Sequence, residues 1–352
     1  MKKSLLALSI LGAFAGVAQA QTNVTMYGIA DVGVSREEAS SANGTKQKIT
    51  RVDSGGYSGS RLGFTGTEDL GNGLKALFTL ETGLNLDTGG FGQAQKNAAG
   101  VSNGGTAFGR QAFVGLGGNF GTVKLGRQQT FLFYGQAAID PFGIGLAGDS
   151  TKFFSGPFRV NNTIKYESPS ISGFTGGYSH SFGEDVNGAS NGADNAFSGQ
   201  YANGPLFLSA IYDQQNSSPA AGAQNFKTKV TNIGGTYDFG VAKAHLMFDR
   251  VRNDLGASSR DYLIGTTIPF GAGNFLLDYI KHTDKANANS DAKQYAIGYT
   301  YALSKRTTLY TSYSRTNGDA NYNISSSAFI GTTPALNGNS DKLFDFGVRH
   351  SF

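Results

Sequence analysis

Phe344-Asp345-Phe346-Gly347-Val348-Arg349-His350-Ser351-Phe352 closes the chain. Phe344, Phe346, Val348, His350 and Phe352 occupy one register, and Asp345, Gly347, Arg349 and Ser351 the other. Successive side chains of a strand point to opposite faces, so this is a strand with one apolar face and one small or charged face. As the free edge of a soluble sheet, so long an apolar strand would invite aggregation. Pairing it with the first strand of the mature chain, Val24 to Val34, removes the edge. The ending therefore predicts a sheet that closes on itself.

The same alternation recurs upstream. Tyr262, Ile264, Thr266, Ile268 and Phe270 oppose Leu263, Gly265, Thr267 and Pro269. Ala242, Ala244, Leu246 and Phe248 oppose Lys243, His245, Met247 and Asp249, and Tyr295, Ile297, Tyr299, Tyr301 and Leu303 oppose Gln294, Ala296, Gly298, Thr300 and Ala302. Small and charged groups would pack a dry core badly but would line water well. Short turns at 69–73, 117–121, 168–173, 203–205, 239–241, 270–273 and 304–307 alternate with longer polar stretches. The long ones are 36–57, 87–107, 131–158, 184–194, 214–226, 253–259, 284–291 and 317–341. That asymmetry, over about sixteen strands of the ~10 residues that cross a bilayer at a tilt, predicts an all-β transmembrane barrel. Lipid permits no unpaired sheet edge, and a barrel of this size encloses an aqueous channel.

The chain starts differently. Lys2 and Lys3 precede an apolar run from Leu5 to Val17, and Ala18-Gln19-Ala20 has the small-x-small form of a cleavage site. Residues 1–20 are thus expected to be a secretory signal, with one barrel domain over 21–352. The 29 basic residues, two of them in that signal, nearly balance 25 acids, which argues against a nucleic-acid partner. The 51 glycines, about twice the usual share, fit many turns and strand kinks. Cysteine is absent, which excludes disulfides, thiolate metal sites and a cysteine nucleophile. Gly143-Ile144-Gly145-Leu146-Ala147-Gly148 matches a dinucleotide fingerprint but lacks the preceding strand and following helix that the motif needs. His180, His245, His282 and His350 are not at metal-ligand spacing, and nothing orients a Ser–His pair at Ser179–Ser181. No enzyme activity, metal or cofactor is expected.

Asn23–Asp31, Ser60–Gly73, Gly109–Leu116, Phe120–Gln128 and Arg159–Tyr166 together resemble the Gram-negative general porins, particularly the trimeric β-proteobacterial type. The resemblance implies a sixteen-stranded antiparallel barrel in the cell outer membrane, assembling as a homotrimer, with a third loop folded inward to form a constriction. It implies passive diffusion of small hydrophilic solutes and ions. The terminal strand, through Phe344, Phe346, Val348 and Phe352, is similar to the family's signal for the outer-membrane assembly machinery, and the loop Asp87–Ala107 to one that latches onto a neighbouring subunit.

The family's constriction arginines carry over to Arg61, Arg110 and Arg159. Alternation agrees for Arg61, because Leu62 and Phe64 fit the lipid face. For Arg110, Phe113 on the lipid face would place Arg110 and Ala112 inside. An arginine facing lipid would cost about 2–4 kcal/mol near the midplane, which favours the inward placement. Lys75 and Glu81 also fall opposite Ala76, Phe78 and Leu80, Lys75 near the short-turn mouth, and Arg127 resembles a further pore-lining position. The third loop, Phe131 to Phe158, carries Asp140-Pro141-Phe142-Gly143 where the family has a glutamate between Pro and Phe. Asp140 and Asp149 are the acids expected to face the arginines. Three cations against one or two carboxylates predict anion preference. The alternatives are a channel specific for an organic anion or sugar, with Phe131, Phe133 and Tyr134 as an aromatic slide, and an adhesive role for the long loops.

Overall fold

The computed structural model describes residues 23–40, 44–92, 94–96, 102–186, 188, 190–217, 225–324, 336–337 and 340–352. The expected signal lies outside them, as does part of the second long loop.

Eighteen strand segments form one sheet. Two of them, Lys46–Ser54 and Arg61–Gly71, are halves of one wall strand, and Gly90–Phe91 is a short addition beside Leu84 and Asn85, which leaves sixteen staves. In chain order they are β1 (Asn23–Ser40), β2 (the two halves just named), β3 (Leu74–Asn85), β4 (Gln111–Gly118), β5 (Gly121–Gln129) and β6 (Arg159–Glu167). There follow β7 (Phe174–Ser181), β8 (Asp194–Asn203), β9 (Leu206–Asn216), β10 (Lys227–Asp238) and β11 (Lys243–Asn253). The last are β12 (Ser258–Phe270), β13 (Gly273–Asp284), β14 (Ala292–Ala302), β15 (Thr307–Gly318) and β16 (Ser340–Ser351). Each pairs antiparallel with its neighbours, and β16 returns to β1 from Ile29↔Ser351 to Ser40↔Ser340. The closing edge is thus paired. Phe352 N–H and Gly28 N–H also donate to each other's carbonyls at 3.1 and 3.0 Å.

The expected long loop over 36–57 is mostly wall. β1 runs on to Ser40 and returns at Lys46. Beyond the hydrocarbon both faces of a strand meet water, so polar residues fill both registers and the alternation that marks a strand disappears. Cross-strand pairs hold this extension: Arg51 with Glu37 at 2.9 Å and Lys48 with Glu38 at 3.2 Å.

Outward positions are apolar and exposed, as at Leu246, Ile264, Ile297 and Phe346, while Asp249, Asp261, Gln294 and Asp345 in the opposite register are buried. Their burial has a specific cause. Residues 130–158 lie against the lumen side of the wall. Helix α1 (Phe131–Ile139) starts at Thr130, whose side chain accepts from Phe133 N–H at 3.1 Å. Its Ile139, with Phe153 and Phe154, packs against Met247, Leu263 and Ile280. Phe131 and Leu132 meet Ala196, Ile211 and Val230, and Phe142 meets Leu276, Ala296 and Tyr310. The inward register therefore does two jobs, lining water on one side of the lumen and seating a loop on the other.

Candidate functional site

Between the halves of β2, residues 55–60 leave the pleat. Asp31 holds this crease: its Oδ2 accepts from Tyr57 N–H at 3.1 Å and Ser58 N–H at 2.7 Å, and its Oδ1 accepts from the Tyr310 hydroxyl at 2.7 Å. The tip of the third loop meets the crease, with Leu146 N–H donating to Gly56 O at 2.5 Å. Gly145 has to be glycine here, since a Cβ would stand 2.3 Å from Tyr57 O. Loop and crease together divide the lumen.

On one side of that seam lies a polar cavity of about 620 Å3, lined by Arg51, Arg61, Arg110 and Arg159 with Tyr57, Ser58, Phe133 and Phe158, and by the acids Asp53, which pairs with Arg51 at 3.1 Å, and Asp87. The three arginines expected at the constriction thus share one cavity. Arg61 Nε donates to Gly59 O at 2.9 Å, and Arg159 Nε to Arg110 O at 3.0 Å. Arg159 lies over the Phe133 ring at 5.6 Å, a cation–π contact that fixes the guanidinium. Arg110 differs from the other two. It is 4 % exposed, and its Nε donates to Glu81 Oε1 at 2.8 Å. Glu81 also accepts from the Tyr27 hydroxyl at 2.9 Å. The charge of Arg110 is therefore largely spent on Glu81, whereas no ion pair to Arg61 or Arg159 occurs among the described residues.

Four expectations need correction. Asp140 does not face the arginines. It is 3 % exposed, and its oxygens accept from Phe142, Ile144 and Ser150 N–H at 2.8, 3.2 and 3.0 Å, so it staples the loop. Asp149, fully buried, caps the short turn Ser150–Lys152 by accepting from Thr151 N–H at 2.8 Å. The loop contributes only Phe133, Gly143, Ile144 and Phe158 to the cavity lining, and no carboxylate. Arg127 pairs with Ala112, on the outward face that Leu125 and Val114 share, and donates to Gly109 O at 2.7 Å. Phe113 faces the lumen, opposite Thr79, because the exposed Val114 and Leu116 claim the outward register. Arg110 nevertheless reaches the cavity, since it precedes β4 and the alternation does not apply to it.

Lys75 is exposed beside the short turn at 72–73, as expected of a mouth residue. Phe344, Phe346, Val348 and Phe352 are exposed on the outward face. Two cations were missed. Arg349 donates to Ser58 Oγ at 2.7 Å and lies over the Tyr57 ring at 5.7 Å, across from Arg61; the alternation of the last strand already placed it inward. Arg51 sat in what was read as a loop. Phe131 is no slide residue: it is 4 % exposed, with Lys165 Nζ over its ring at 4.1 Å.

Two outcomes follow from these buried carboxylates. Glu81→Gln frees the Arg110 charge, so anion preference should rise while heat resistance falls by about 3–5 kcal/mol, the cost of breaking a buried pair. Zero-current potential and the heat-dissociation midpoint report the two effects separately. Burial pushes the Asp140 carboxyl up to about 6 from its ordinary 3.8. Being raised, it stabilises the fold fully below its unfolded value and loses that contribution as pH rises through the folded one. Wild type should gain heat resistance between about pH 7.5 and about pH 5, and Asp140→Asn should gain less; an equal gain would show that Asp140 is not the group responsible.

A closed barrel, apolar outside and charged within, whose lumen is narrowed by a loop, defines a membrane channel. The chain belongs to the Gram-negative porin family, whose model matches residues 7–321. It is 34 % identical to outer membrane porin protein 32 of Delftia acidovorans, over the full length of both chains. It is 32 % identical to an outer membrane porin protein of Bordetella pertussis, over 88 % of this chain and 93 % of that one. Its fold matches the anion-selective porin from Comamonas acidovorans with a TM-score of 0.81 and 31 % identity, over 94 % of this chain and 100 % of that one. The protein is an outer-membrane porin, a passive channel and not an enzyme.

Proposed function

We propose that the channel is a general diffusion pore with a preference for anions, and that Arg61 and Arg159, supported by Arg349 and Arg110, set that preference. One observation carries the reading: Arg61, Arg110 and Arg159 share a cavity to which the constriction loop brings no carboxylate. The similar porin from Comamonas acidovorans is described as anion-selective, which agrees. Small hydrophilic solutes and ions pass by diffusion. In a planar bilayer, conductance should rise in proportion to salt over a wide range; saturation at low salt would instead indicate a binding site and a specific channel. The specific reading has lost support, because Phe131 anchors the loop and Phe133 carries Arg159.

The pore works as a homotrimer in this reading. An outward Arg127 on the short staves β4 to β6 suits a protein neighbour better than hydrocarbon, where it would cost about 2–4 kcal/mol. Residues 1–20 act as the export signal, the terminal Phe344–Phe352 strand as the mark read by the assembly machinery, and Asp87–Ala107 as the inter-subunit latch.

A further inference from the structure

Tyr310 crosses two staves to reach its partner. It faces the lumen from β15, opposite Gly347 of β16, which in turn stands opposite Gly33 of β1. A side chain at either glycine would block the path, since a Cβ would stand 2.3 Å from the Tyr310 hydroxyl oxygen at Gly347 and 2.8 Å from it at Gly33. Through that lane the hydroxyl donates to Asp31 Oδ1 at 2.7 Å, and both residues are buried. The crease closes around Asp31 from the other side. Asp31 O accepts from Gly55 N–H and from the Ser60 hydroxyl, each at 2.8 Å, and Asp31 N–H donates to Ser60 Oγ at 3.0 Å.

Asp31 also stands directly opposite Arg349 in the ladder between β1 and β16. Opposite charges in such a cross-strand pair attract, and more strongly where water is excluded. No ion pair joins the two among the described residues, however. Three neutral donors fill the carboxylate instead: Tyr57 and Ser58 N–H on Oδ2, and the Tyr310 hydroxyl on Oδ1. Arg349 turns to the crease, donating to Ser58 Oγ at 2.7 Å and lying over the Tyr57 ring at 5.7 Å. Tyr57 and Ser58 line the arginine cavity, and Arg61 hangs from Gly59 O beside them. Whether Arg349 adds to the charge of the opening thus depends on what occupies Asp31 Oδ1.

We propose that Tyr310 is a positioning residue for anion preference: by filling Asp31 Oδ1 it keeps the carboxylate from Arg349 and leaves that guanidinium on the cavity residues Tyr57 and Ser58. The proposal rests on the pore's preference for anions, but not on Arg61 and Arg159 as its source. Removing the hydroxyl leaves a buried acceptor without a partner, and the guanidinium directly opposite is the group able to supply one. Arg349 then pairs with Asp31, and its charge is lost to the opening. The competing account is a clasp that only stiffens the barrel. Under it, loss of the hydroxyl lowers heat resistance and leaves selectivity alone.

The test measures zero-current potentials of wild type and variants in planar bilayers across a potassium chloride gradient. Tyr310→Phe keeps the ring, with its packing against Phe142 and Tyr57, and alters no formal charge, so a change in potential reports position. It should lower the chloride-over-potassium permeability ratio by about threefold, the effect of one partly screened charge beside the opening. Adding Asp31→Asn to Tyr310→Phe should restore the ratio, because the amide oxygen still accepts from Tyr57 and Ser58 N–H but offers Arg349 no charge. In an Arg349→Gln background, Tyr310→Phe should change the ratio no further. A Tyr310→Phe pore with the wild-type ratio would overturn the proposal. So would a ratio that falls again on adding Asp31→Asn, or a fall of equal size in the Arg349→Gln background. Each of these leaves the anion preference itself standing. A wild-type potential of the potassium sign would overturn that preference and this proposal with it.

Discussion

Neutralising Arg61 and Arg159 together should abolish most of the anion preference and shift the zero-current potential of the pore towards cations. Both guanidiniums line the cavity, and neither is ion-paired among the described residues. A unit charge about 6 Å from a passing ion is worth about 0.7–3 kcal/mol, depending on how much water screens it. Two such charges amount to about a tenfold change in the permeability ratio or more. The double variant should still fold, since Arg61 gives up a hydrogen bond to a backbone carbonyl, and Arg159 one such bond and its contact with the Phe133 ring, with no buried ion pair broken. Arg110→Gln alone is expected to behave differently. It strands Glu81 as a buried unpaired carboxylate, so its main effect is lower heat resistance, with a smaller change in selectivity. If Arg110→Gln moved the potential as far as the double variant, the division of labour among the three arginines would be wrong.

The second large effect concerns the loop. Lys152 Nζ donates to Ala147 O at 2.8 Å, to Gln294 Oε1 at 3.1 Å and to Ser314 Oγ at 3.3 Å, which pins the loop tip to β14 and β15. It is also the cation within electrostatic reach of Asp149, Asp278 and Asp345. Lys152→Met removes the tether and leaves those carboxylates without their counter-charge, a loss of about 3–5 kcal/mol. The loop should then leave the wall. Single-channel conductance should rise, open-channel noise should increase, and the newly exposed acids should weaken anion preference. Lys152→Arg should restore a quiet channel. A Lys152→Met pore with wild-type conductance and noise would mean that the apolar seat of Phe142, Phe153 and Phe154 holds the loop unaided.

The parts of this molecule that were legible in sequence are those that lipid enforces. Along β12, β14 and β16 the bilayer demands an apolar outward register, and the alternation Tyr262–Phe270, Tyr295–Leu303 and Phe344–Phe352 follows directly from it. Edge closure follows from the same constraint. Legibility fails where the constraint lapses. In β4 large apolar residues occupy both registers, and only the pairing of Phe113 with Thr79 and of Ala112 with Leu80 resolves the faces. Beyond the membrane, the end of β1 from Arg36 to Ser40 and the start of β2 from Lys46 to Ser54 are strand without alternation, which hid Arg51. Helix α1 is apolar almost all round, its exposed Tyr134 and Ala138 as well as the positions seated on the wall, so it offers no amphipathic period to read. Asp140 was credible as a pore acid from its place beside Pro141. What it does instead, accepting three loop N–H groups, depends on how the chain after it turns back, with Ile144 and Leu146 in the left-handed region at φ 56° and 57°.

The arginine-lined opening, to which the third loop brings no carboxylate, is the centre of this account, and the zero-current potential of wild-type pores across a potassium chloride gradient tests it most directly. The potential should take the sign of chloride permeating faster than potassium, and it should decline as salt rises, because free ions screen the guanidiniums. A potential of the potassium sign at low salt would contradict the account, whatever the conductance.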